Sequence, residues 1–205
     1  MVFKRRDRRP VWQVVADVLY PRGGWLRAFE YVKHRVRRLP DTPEKIGRGV
    51  WAGVFVAFTP FYGLHFIMAW LIALVMRGNV LAALLATFFG NPLTYVPIAA
   101  TSMWFGQLLL GTRPIDDLEA SLGRKFSAAW GDLWHNVVAI FTHERMEWSG
   151  LARFYDEVFF PFMIGGLIPG VIAASVCYVL TVPVLTAYQN RRRKKLKAKL
   201  DRLGE

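Results

Sequence analysis

The sequence predicts an all-α fold: a polytopic helical membrane protein with broken or re-entrant helices and amphipathic surface helices. Three observations carry that expectation. Of the 205 residues, 54% are hydrophobic and the mean hydropathy is positive, richer in apolar residues than an ordinary soluble domain. Residues 45–115 contain no Asp or Glu. Two proline–glycine breaks nevertheless interrupt that apolar stretch, Phe58-Thr59-Pro60-Phe61-Tyr62-Gly63-Leu64-His65 and Gly90-Asn91-Pro92-Leu93-Thr94-Tyr95-Val96-Pro97. Broken backbone leaves N–H and C=O groups that lipid cannot satisfy, so it must be buried in protein or line a cavity.

Charge is segregated along the chain. Residues 1–48 carry thirteen Lys/Arg against five Asp/Glu, residues 191–205 eight against two, and residues 111–157 five against eight. Counting Lys and Arg, both termini are expected in the cytoplasm, with 111–157 on the other side of the membrane. The net charge of +12 lies outside the apolar segments and accompanies no nucleic-acid motif, so anionic membrane lipids are the expected partners and nucleic acid is not. Cys177 has no second cysteine to pair with, and the N-terminus does not read as a signal peptide, because Gln13 and Asp17 interrupt the apolar run after Lys4–Arg9.

Five segments follow in order. Residues 1–40 comprise a basic tail and an amphipathic helix over 23–39, with Trp25, Phe29, Val32, Val36 and Leu39 on one stripe. A basic helix with Trp and Phe on its apolar face suits a membrane surface, though packing on the rest of the protein gives the same stripe. Residues 41–110 form the membrane region. Asp41-Thr42-Pro43-Glu44 reads as its helix start, with Asp41 as cap and Glu44 as capping-box partner. The helix then meets Pro60 after about sixteen residues, short of the roughly twenty needed to cross. Either one re-entrant pair plus one broken span or three tilted crossings brings the chain to the far side. Residues 111–157 are an extracytoplasmic amphipathic segment, with a stripe of Leu118, Leu122, Phe126, Ala129, Leu133 and Val137. Residues 158–189 are the last membrane segment and 190–205 a basic cytoplasmic tail. Small residues at four-residue spacing, Gly49, Gly53, Ala57 and Gly166, Gly170, Ala174, make smooth helix faces suited to close packing within the chain or across a homodimer.

The breaks are the candidate binding site. Helix N-termini favour anions, and Asn91-Pro92 reads as a cap and first helical residue. Pro60, Gly63, Pro92 and Pro97 supply the interruptions. Thr59, Tyr62, His65, Asn91, Thr94 and Tyr95 bring hydroxyl, amide and imidazole groups to them, with Arg48 and Arg77 at the segment ends. Without carboxylates, such a site suits an anion such as a lipid phosphate. Structural kinks whose hydroxyls satisfy the freed backbone account for the same residues.

The run Gly53-Val54-Phe55-Val56-Ala57-Phe58-Thr59-Pro60-Phe61-Tyr62-Gly63-Leu64-His65, with Asn79 and Asn91-Pro92-Leu93-Thr94, resembles the bacterial family known as domain of unknown function 2062, over roughly residues 20–187. The resemblance implies a small integral membrane protein of bacteria and carries no catalytic residues; residence in the inner membrane is expected from the helices and the charge placement. Two function classes stand: a protein that binds or translocates an anionic, lipid-linked phosphate at the breaks, and a non-transporting scaffold or assembly factor that binds anionic lipid or envelope proteins. Enzymatic readings fare worse. His135 and His143 have Asp132, Glu144 and Glu147 nearby, and Asp116-Asp117 pairs two acids, but no metal-ligand motif or nucleophile–base constellation is present; no metal or cofactor is expected.

Overall fold

The computed structural model describes residues 24–111, 118–142 and 145–201. The tail 1–9, Asp116-Asp117 and His143-Glu144 lie outside the described residues, as do the side chains of Trp25, Leu118, Leu122 and Phe126. All regular structure among the described residues is helical. The chain divides into two compact units, residues 1–40 and 41–205. In the first, α1 (Gly24–Arg37) exposes Phe29 and Tyr31 and half-buries Val32 and Val36; Arg35 Nε donates to the Tyr31 hydroxyl at 3.1 Å.

The second unit begins with α2 (Pro43–Val56). Its cap is Thr42 rather than Asp41: Thr42 Oγ1 accepts the Lys45 N–H, while Asp41 Oδ1 accepts the N–H of Thr42 at 3.0 Å. Proline in the first turn costs nothing because its missing N–H would have been unpaired there. Thr59-Pro60 ends the helical path, and α3 (His65–Val75) starts after Gly63, whose φ of +86° suits a residue without a Cβ. Arg77, at φ +51°, turns the chain into Asn79, the cap of α4 (Val80–Ala86). A short 3₁₀ turn (Thr87–Phe89) leads to Gly90, and Asn91 caps α5 (Pro92–Leu110). That helix continues through Pro97, which is therefore a proline within a helix rather than its end, leaving the Leu93 carbonyl without its i→i−4 bond. Then come α6 (Leu118–Thr142), α7 (Ser149–Phe154), a π-helical turn (Tyr155–Phe159) and α8 (Phe160–Asp201).

Glycine contacts fix the direction of each helix. Gly49 faces Asn79 and Ala82, and Gly53 faces Ala83 and Ala86, so α2 and α4 run parallel, with α3 returning between them. Gly47 meets Tyr178 and Val182, whereas Gly166 and Gly170 meet Phe58, so α8 runs against α2. Gly106 faces Pro161 and Gly165 faces Ser102, so α8 also runs against α5. Helices α2, α4 and α5 therefore share one sense. The glycines of the two series do not face each other: α4 fills Gly49 and Gly53 while Phe55 and Phe58 fill Gly166 and Gly170, so a homodimer would need a surface other than these glycines. The core at this crossing is Val54, Ala57, Phe58, Ala86, Ile98, Met103, Phe162 and Ala174.

The buried face of α6 is rotated from the stripe expected. Ala129, Asn136 and Ala139 are buried, while Leu133 and Val137 are exposed. The reason is polar: Asp132 accepts the Gly150 and Leu151 N–H groups at the start of α7, and Asn136 exchanges two hydrogen bonds with the Glu147 backbone. Among the described residues two helices are long and apolar enough to cross a membrane, Pro92–Leu110 and Ser149–Asp201, while His65–Val75 and Val80–Phe89 are shorter apolar helices.

Candidate binding site at the helix breaks

At the first break the freed backbone is satisfied locally. The N–H groups of Phe58 and Thr59 reach the carbonyls of Phe55 and Val56, and Thr59 Oγ1 donates to the Val56 carbonyl at 2.7 Å. His65 is buried and turns its Nε2 to the Thr59 carbonyl at 3.2 Å. A carbonyl only accepts, so Nε2 carries the proton and Nδ1 is left to accept from the Tyr95 hydroxyl at 3.4 Å.

At the second break, Asn91 Oδ1 accepts the N–H groups of Leu93 and Thr94, and Thr94 Oγ1 accepts the Asn91 N–H at 2.9 Å. This reciprocal pair closes the capping box of α5. Asn91 Nδ2 and Thr94 Oγ1 also donate to carbonyls of the preceding 3₁₀ turn. The polar atoms of Asn91 and Thr94 are thus used within their own turn, and the start of α5 has its donors filled. The start of α3 differs: Leu64 provides no side-chain cap.

The breaks meet through rings. Tyr62 lies 5.5 Å from both Tyr95 and His65, centroid to centroid. Phe58 stacks near Phe89 at 6.2 Å. Two residues that sequence reasoning missed close the cluster from the far end of the chain: Phe162 edges Tyr62 at 6.2 Å and Phe159 edges Phe61 at 5.5 Å. The aromatic density of residues 154–162 was the available signal. Of the candidate site residues, the structure gathers Thr59, Tyr62, His65 and Tyr95 and leaves Asn91 and Thr94 as caps beside them. Among the described residues the Tyr62 hydroxyl makes no hydrogen bond, and no charged side chain enters the cluster.

Arg48 and Arg77 lie at the other end of the hairpin, where Arg48 Nη2 donates to the Arg77 carbonyl at 3.1 Å. A polar clasp, also missed from sequence, holds that end together. Asn79 Nδ2 donates to Asp41 Oδ2 at 3.2 Å, the Asn79 N–H donates to the Lys45 carbonyl at 2.8 Å, and Gln189 Nε2 donates to the Asp41 carbonyl at 2.9 Å. Burial pushes the Asp41 carboxyl up. The hydrogen bonds from Asn79 and the Thr42 N–H, with the Lys45 charge, outweigh it and hold the group below its ordinary value.

The molecule is therefore an all-helical protein in which two interrupted helices meet across one aromatic cluster, beside two helices of membrane-crossing length. It belongs to the family described as "Uncharacterized protein conserved in bacteria", the domain of unknown function 2062, whose model matches residues 26–194. No curated protein and no solved structure matches the chain.

Proposed function

We propose that this chain is a multi-pass protein of the bacterial inner membrane, with both termini cytoplasmic, that binds and moves an anionic, lipid-linked phosphate at its facing breaks. The membrane reading rests on exposure as well as length. Only 11% of the most apolar window of Ser149–Asp201 and 28% of that of Pro92–Leu110 is buried, whereas the core helix of a soluble protein is mostly covered. At 1.5 Å per residue α2 and α3 reach only about 21 Å and 16 Å, short of a bilayer core of roughly 30 Å. Together they suit a re-entrant pair, with α4 and α5 as one broken span and α8 as the return.

The observation that carries the binding reading is the convergence of two breaks thirty residues apart, at His65 and Tyr95, on one cluster. Discontinuous helices meeting in this way are a recurrent device of transporters. A phosphate there would use the uncapped start of α3 and the Tyr62 hydroxyl, joined by the Tyr95 hydroxyl once it leaves His65, rather than a cationic side chain. Lipid mass spectrometry on the purified protein tests this, beside a Tyr62→Ala/Tyr95→Phe variant of equal stability. One phosphorylated lipid enriched on the native chain and lost on the variant is the expected result. The same bulk phospholipid on both overturns the site.

The scaffold reading has one observation of its own. Helix α8 continues twelve residues past Gln189 to Asp201, exposing Arg191–Lys199. Loss of function on truncation after Gln189, with silent Tyr62 and Tyr95 substitutions, would favour it.

A further inference from the structure

Away from the breaks, α6 and α7 enclose a cleft of about 360 Å³. Its walls include Arg124 and Lys125 from α6 and Gly150, Arg153 and Phe154 from α7, with Glu157 from the π-helical turn. Residues 111–157 hold only five basic side chains among eight acids, and three of those five converge here. Among the described residues a single carboxylate answers them: Glu157 Oε2 lies 2.9 Å from Lys125 Nζ and its Oε1 lies 4.0 Å from Arg153 Nε. The nearby Asp132 is engaged by the N–H groups that start α7. Among the described residues the cleft is thus lined by three cations and one anion, in a segment whose acids outnumber its bases.

We infer that this cleft binds a phosphate-bearing ligand, either a free phosphate ester or a lipid headgroup. Two charges remain unanswered among the described lining residues, which matches a phosphate monoester. Two guanidinium groups offer the forked donors that pair with phosphate oxygens. Phe154 supplies an apolar wall for what the phosphate is attached to. The inference does not rest on the binding role given above to the breaks, because none of its residues belongs to them.

The test is titration of inorganic phosphate against the full chain in phosphatidylcholine nanodiscs, at ionic strength fixed with chloride. An Arg124→Gln/Arg153→Gln variant is expected to bind phosphate about tenfold more weakly, as loss of charge-assisted bonds predicts. Glu157→Gln should do the opposite and tighten binding roughly threefold by removing the competing carboxylate. Tyr62→Ala should leave the titration unchanged. A loss of phosphate binding in Tyr62→Ala as large as that in the arginine variant would place the phosphate at the breaks and overturn the inference. Loss of phosphate binding when phosphatidylglycerol replaces part of the phosphatidylcholine identifies a headgroup as occupant. Retained binding identifies a soluble phosphate ester. Equal affinity in the native chain and the arginine variant, or no binding by either, overturns the inference. Should the arginine variant fail to fold, Glu157→Gln decides alone, and a failure to tighten binding overturns it.

Discussion

The two ends of the α2–α3 hairpin use polar side chains in opposite ways. At the clasp, Asp41, Asn79 and Gln189 bond from one element to another, so that the starts of α2 and α4 and the far part of α8 are joined directly. At the breaks, Thr59, Asn91 and Thr94 bond only to nearby backbone, and rings make most of the contacts between elements. Polar bonds between elements fix position and leave little for a ligand. Polar bonds within a turn repair the backbone and leave the space between turns to weaker, exchangeable ring contacts. The clasp is thus joined by directional polar bonds, and the breaks by ring packing.

The largest expected effect tests the point where the first break leans on α8. A Cβ at Gly166 would meet the Phe58 carbonyl, which is backbone and cannot swing aside. Gly166→Leu should therefore destabilise the protein by about 3 kcal/mol or more, seen as loss of the monodisperse peak after mild heating in detergent. Next is the clasp. Asn79→Ala removes the cap of α4 and the bond to Asp41 together, for an expected loss of about 2 kcal/mol in a denaturant titration. A smaller effect follows from Asp41. Its folded pKa lies below the unfolded value, so its stabilisation is complete above about pH 4 and fades as pH falls through the folded value. Melting curves between pH 3 and 6 should show that decline in the native chain, and Asp41→Asn should lack that component. Smallest is Tyr62→Phe at the other end: with no intramolecular bond to lose, its stability should change by less than about 0.5 kcal/mol. A change as large as that of Asn79→Ala would erase the distinction between the two ends.

Local chemistry made much of this fold legible. Asn91-Pro92 with Thr94 announced a helix start, and Pro60 with Gly63 announced a turn, because each residue acts on backbone within a few positions of itself. The start of α2 was displaced by one residue, because Asp41 and Thr42 both have capping chemistry and only packing chose between them. The face of α6 was misread for a related reason: apolar periodicity does not register that its partner presents N–H groups needing Asp132 and Asn136. The clasp was illegible, since Asp41 and Gln189 stand 148 residues apart and no spacing rule connects them. At the candidate site, residue types pointed to the right turns but could not say which donors remain free. Asn91 and Thr94 read as ligand-binding groups in the sequence and are used as caps in the structure.

The length of α8 has a consequence for what its basic end can sense. If the clasp at Gln189 marks the membrane boundary, the helix rises about 18 Å beyond it by Asp201. The electrostatic screening length at physiological salt is about 8 Å. Arg191, Arg192 and Arg193 stand within that depth, where an anionic lipid surface attracts them. Lys197 and Lys199, at about 12–15 Å on an upright helix, stand above the ionic atmosphere that such a surface casts. To the lipids below them those two lysines are nearly invisible, and apart from Asp201 on their own helix they answer to charge carried up to meet them.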